Sequence, residues 1–190
     1  QFELSPVHAL IALMCFHASR LNARQSGENG DLLYDEQDRS KWDQARDAAG
    51  YVLENLNPAD RFNIVSFSTG ARVYGDGMQE PGKAGDAIEW MESMFAEGGT
   101  DINLALTTAL DMADPARNTN IIFLTDGLAT EGVVETPEIL ENVENAARSN
   151  TRIFTFGVGD DVDTFLLDRL FQEFRGAGSY VRPSERIDEE

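Results

Sequence analysis

Two stretches of this chain, Gly98-Gly-Thr-Asp101 and Ile122-Phe-Leu-Thr-Asp-Gly127, carry the residue types that could hold an ion. Hard divalent cations take oxygen ligands, and Mg²⁺ accepts few carboxylates and keeps some of its waters. One carboxylate, a Thr hydroxyl and Ser hydroxyls make such a set, and they leave the ion able to accept a further carboxylate from elsewhere. Thr100 offers a hydroxyl and Asp126 a direct or water-mediated carboxylate. Structural turn roles compete for both, because Thr-Asp-Gly is a common turn sequence. Asp101 has two readings, an outer partner to an ion or the N-cap of the helix that follows, and the cap is slightly favoured.

Other chemistries find less support. Gly157-Val-Gly159 follows a late strand and lacks the full Gly-x-Gly-x-x-Gly, so it reads as a turn and not a dinucleotide site. The sequence has no Gly-x-x-x-x-Gly-Lys-Ser/Thr, and no nucleotide is expected. Ser19 has His17 within reach on a strand face, but no Gly-x-Ser-x-Gly elbow surrounds it, so no enzyme is expected. Cys15, the single cysteine, lies in an apolar run and reads as a small buried hydrophobe.

These loops need a scaffold, and the order of elements supplies one. Val7–Phe16 reads as a continuous apolar strand, although Ala, Leu and Met also favour helix. Residues 21–40 form a long acidic loop. Ser40 caps a helix with Trp42, Ala45, Ala49, Val52, Leu53 and Leu56 on one face. Strands are expected at 61–68, 120–125, 152–158 and 178–181, with a short edge strand at 71–74. Helices are expected at 82–96, 102–112, from Pro137 to about 149, and from the Asp163 cap to 174. Trp90, with Met91 and Met94, reads as core or as an interface patch. Strands alternating with helices predict an α/β fold: a Rossmann-like, mainly parallel six-stranded sheet with one short antiparallel edge strand and helices on both faces. In such sheets ligands bind beyond the carboxyl ends of the strands.

Composition narrows the function. The 190 residues, 42% of them hydrophobic, suit a single domain spanning 1–190. A net charge of -19 repels phosphate backbones, so nucleic acid is not an expected partner. It favours cations and a cationic or cation-bridged partner. No run approaches the roughly 20 apolar residues that span a bilayer, so no transmembrane segment is expected.

The segments Trp42–Ala48, Leu56–Ser68, Gly98–Asn103, Ile122–Gly127 and Thr155–Asp163 together resemble a von Willebrand factor type A domain. Within that family they look most like bacterial proteins similar to inter-alpha-trypsin inhibitor heavy chains. The resemblance runs over residues 41–183, while residues 1–16 fit by position and length. It implies a metal-ion-dependent adhesion site: Asp-x-Ser-x-Ser after the first strand, a Thr from a later loop and an Asp after the fourth strand. Carried over, the metal ligands are Ser19, Thr100 and Asp126, for Mg²⁺ or else Mn²⁺ or Ca²⁺. His17 and Leu21 occupy the other two positions, so the site is degenerate. A neutral His17 offers nitrogen, which suits Zn or Ni better than Mg²⁺. A carboxylate from the acidic loop, among Asp31, Asp35, Glu36 and Asp38, is the rival way to complete the set.

The resemblance implies an adhesion-type domain that binds a protein partner, one presenting an acidic residue to the ion where an ion is held. Two alternatives stay open: a metal-dependent hydrolase on a similar sheet, and a structural domain with a non-functional metal site. A secreted, periplasmic or cell-surface location follows from the resemblance, and a cytoplasmic one would fold equally well.

Overall fold

The computed structural model describes residues 8–15, 41–94, 98–159 and 161–181. In chain order these form β1 (His8–Cys15), α1 (Lys41–Glu54), β2 (Arg61–Phe67), β3 (Ala71–Val73), α2 (Ala84–Glu92), α3 (Ile102–Asp111), β4 (Asn118–Thr125), α4 (Thr136–Ala146), β5 (Thr151–Val158), α5 (Thr164–Glu173) and β6 (Gly178–Val181). The helix expected over 82–96 is shorter: a single 3-10 turn at Pro81–Lys83 leads into α2, which stops at Ser93.

Local chemistry sets the boundaries. Pro137 lies in the first turn of α4, where its missing N–H costs nothing. Between α1 and β2 the buried Asp60 carboxylate accepts the Asn57 backbone N–H at 2.8 Å and its Nδ2 at 2.9 Å. Those two bonds close the turn that starts β2.

The expected six-stranded sheet, mainly parallel with one short antiparallel edge strand, is divided by its pairing into two parts. Outside β1 the strands form two separate ladders, antiparallel β2–β3 and parallel β4–β5–β6. No strand of one pairs with a strand of the other. Only β1, parallel to both β2 and β4, brings them into the order β3-β2-β1-β4-β5-β6. The physical reason lies in the connections. A tight turn, with Ser68 N–H on the Gly70 carbonyl at 2.8 Å, can only return a strand antiparallel. Helices α4 and α5 are the long crossovers that parallel neighbours require.

The core divides into two clusters of buried side chains. Ile121 and Phe123 of β4 pack with Phe67, Ile153, Ile102 and Leu106, and with α4 and α5 through Ile139 and Leu170. Leu124 packs with Ile64, Val158, Leu53, Ala87 and Met91, the last three from α1 and α2. Phe123 and Leu124 are adjacent yet belong to different clusters, as the two-residue alternation of a strand dictates. Phe67 and Phe123 stack with ring centroids 5.8 Å apart. Trp90 is half-buried and packs on Tyr74, at 5.6 Å between centroids. Among the described residues no helix is long and apolar enough to cross a membrane.

Candidate functional site

Because β1, β2, β4 and β5 run parallel, their carboxyl ends share one edge of the sheet. The segments after β2, before α3 and after β4 meet there. Thr100 N–H donates to Thr130 Oγ1 at 2.8 Å. The Thr100 carbonyl accepts from Thr130 N–H at 2.9 Å and Glu131 N–H at 3.2 Å. Asp101 N–H donates to the Ser68 carbonyl at 2.7 Å. Main-chain bonds thus tie all three segments into one unit, so its geometry does not depend on long side chains.

Glycines let the segments approach this closely. Gly132, at φ 64°, stands against the Asp101 carboxylate, where a Cβ would collide with it. Gly98, at φ 80°, places its backbone so that a Cβ would lie 3.0 Å from Thr69 Cγ2.

Thr100 and Asp126, the two ligands expected from separate loops, arrive at the same place. Both are buried. The Thr100 hydroxyl lies 3.8 Å from where a Cβ would stand on Gly127, the residue that follows Asp126. Thr125 Oγ1 spans that turn, 3.3 Å from the Gly127 carbonyl and 3.4 Å from its N–H. Asp101 caps α3, its Oδ1 accepting the Leu104 N–H at 2.8 Å. His17, Ser19 and Leu21 lie outside the described residues, as does the acidic stretch 31–38.

Sequence reasoning missed the clamp. Thr130 sits in Ala129-Thr-Glu-Gly132, which carries no periodicity, and its partner is distant in the chain. Leu128 and Val134 are exposed apolar residues of the same segment, at 51% and 44%, beside the exposed Glu131 and Glu135.

The donor set is hard in kind but thin. Among the described residues no group of three or more His, Cys, Asp or Glu side chains is placed to hold a metal ion. Thr100 and Asp126 supply one hydroxyl and one carboxylate, and His17 stands where a second carboxylate would belong. The described residues do not by themselves fit a divalent ion.

The fold is an α/β sheet whose strands carry a hydrogen-bonded unit of three loop segments at their carboxyl ends. The family model of the von Willebrand factor type A domain matches residues 35–182, and the chain belongs to that family. A family model of unknown function, DUF6596, also matches residues 2–55. The chain is 36% identical over 154 residues to human inter-alpha-trypsin inhibitor heavy chain H6, with 72% of this chain and 12% of that protein covered. It is 31% identical over 152 residues to mouse heavy chain H2, covering 74% of this chain and 16% of that one. The chain therefore spans less than a fifth of either relative. Both of these relatives are mammalian. The fold matches a von Willebrand factor type A structure from Catenulispora acidiphila, with a TM-score of 0.73 and 23% identity over 94% of this chain and 39% of that one.

Proposed function

We propose that the carboxyl edge of the sheet is the face that docks the protein partner. The observation that supports it is the hydrogen-bonded unit of Ser68, Thr100, Asp101, Thr130 and Glu131, with Leu128 exposed in the same segment between Asp126 and Thr130. A preorganised face loses little entropy when a partner arrives. In the same proposal Ser19, Thr100 and Asp126 are the oxygens offered to Mg²⁺, Mn²⁺ or Ca²⁺, with His17 and Asp101 as substituted ligand or outer partner. With one carboxylate among the three, affinity for such an ion is weak. An ion held there would accept an acidic residue of the partner. Without it, the same edge docks through its apolar and carboxylate groups. The extent of the domain, 1–190 with 21–40 as an acidic loop, and a secreted, periplasmic or cell-surface location belong to the proposal and rest on the family likeness.

A displayed random-peptide library selected on the whole chain tests this. One arm uses chelator-treated protein and the other uses protein in millimolar Mg²⁺. Peptides enriched on the native chain should be lost on Leu128→Asp and Asp126→Ala. Acidic peptides should be enriched in the Mg²⁺ arm alone if the ion takes part. Equal enrichment on native and variant chains would place docking elsewhere.

A further inference from the structure

A second surface lies away from the loops. Between α1 and α2 the protein opens into a groove of about 230 Å³, walled by Asp47, Tyr51 and Glu54 on one side and by Ile88 and Glu92 on the other. Its size excludes most small-molecule ligands, which occupy roughly 300–1,000 Å³. It has room for one long side chain. Gly50 leaves the floor bare: a Cβ there would touch Ile88 Cδ1 at 3.6 Å. Tyr51 is 71% exposed, an aromatic ring left in water at the lip.

The charges around this groove choose its occupant. Among the described residues the groove is lined by three carboxylates, Asp47, Glu54 and Glu92, and by one cation, Arg46. Arg46 and Asp47 have interactions of their own within the protein, whereas Glu54 and Glu92 are exposed. An apolar floor, an exposed aromatic ring and acidic rims complement a side chain with an aliphatic stem and a cationic head. Lysine and arginine lay their methylenes on apolar surface and keep the charge at its edge. Both are attracted to an aromatic face.

We propose that the groove between α1 and α2 receives a lysine or arginine side chain from a partner protein. The stem lies on Ile88 and the Gly50 backbone, the head meets the rim carboxylates, and Tyr51 covers it. Each of these contacts is weak alone because the groove is open to water. The groove therefore supplements a larger interface. It needs no ion and does not depend on the loop face.

The test uses ¹⁵N-labelled full chain titrated with N-acetyl-lysine methylamide and N-acetyl-arginine methylamide, with the norleucine analogue as the uncharged control. Amide shifts should concentrate on Gly50, Tyr51 and Ile88, with the norleucine analogue giving smaller changes at the same amides. Glu92→Gln should weaken binding roughly threefold, in keeping with one partly screened ion pair. Tyr51 is mostly exposed, so Tyr51→Ala keeps the fold and should weaken binding similarly. Glu144→Gln, an exposed carboxylate on α4, should leave it unchanged. A net charge of -19 attracts cations over the whole surface, so shifts spread evenly over acidic residues would overturn the proposal. So would equal effects of Glu92→Gln and Glu144→Gln.

Discussion

Asp163 and Thr136 join the starts of two helices. One oxygen of the Asp163 carboxylate accepts the Leu166 N–H at 2.9 Å and caps α5, while the other accepts the Thr136 hydroxyl at 2.7 Å in the first turn of α4. Asp163→Ala removes both bonds. A lost cap costs about 1–2 kcal/mol, and at this chain length each kcal/mol lowers Tm by about 2–4 °C. Asp163→Asn keeps an acceptor and should lose less. Thermal unfolding followed by circular dichroism checks the order; equal melting of the native and Ala forms would refute it.

Gly132 and Gly70 make a paired test of close approach. Gly132 has a positive φ and stands against the Asp101 carboxylate, whereas a Cβ on Gly70 would meet nothing within 4 Å. Gly132→Ala should cost about 1–3 kcal/mol from backbone strain, with the collision added. Gly70→Ala should change stability by less than about 1 kcal/mol. Urea unfolding of both variants measures the difference.

Thr100→Val separates the loop unit from the ligand role. The bonds joining Thr100 to Thr130 and Glu131 use its backbone, so they survive the change. Losing one buried hydroxyl should cost about 1 kcal/mol. If the oxygen set holds an ion, calorimetric heat from Mn²⁺ added to chelator-treated protein should appear with the native chain. It should vanish with Thr100→Val and with Asp126→Ala. Heat that persists in both variants would remove these residues from any ion site.

Tyr180 should resist deprotonation. Burial and then its 2.5 Å hydrogen bond to Asp168 Oδ1 push the phenol above its ordinary value. A raised folded-state pKa favours the protonated form, so this contribution to stability is complete below the unfolded value of about 10. It is lost as pH rises from there through the folded value. In ultraviolet titration one of the 4 tyrosines should ionise last. Asp168→Asn should bring it earlier, and Tyr180→Phe should abolish the late step. A single shared step in the native protein would count against the bond.

Much of this architecture was legible because local chemistry dictated it. Asp101 before Ile102 and Asp163 before Thr164 are capping residues at the heads of apolar-periodic segments, and both cap. The apolar run Ile121–Leu124 read as a strand, which put Asp126 just past its carboxyl end. What stayed hidden is non-local. Nothing near Thr130 shows that its hydroxyl binds Thr100, and nothing in β2 or β4 shows that β1 alone connects their ladders. Helix α2 stopped short of its periodic pattern at Ser93, whose hydroxyl turns back to the Trp90 carbonyl at 2.6 Å.

That single joint at β1 has a mechanical side. The strand is paired in parallel along both edges, with β2 on one side and β4 on the other. Tension pulling the chain before His8 away from the carboxyl edge of the sheet would load both edges in shear, so their hydrogen bonds would have to yield together. A strand peeled from an outer edge gives way one bond at a time. A domain that holds a partner while its own chain is pulled would have its strongest resistance in β1.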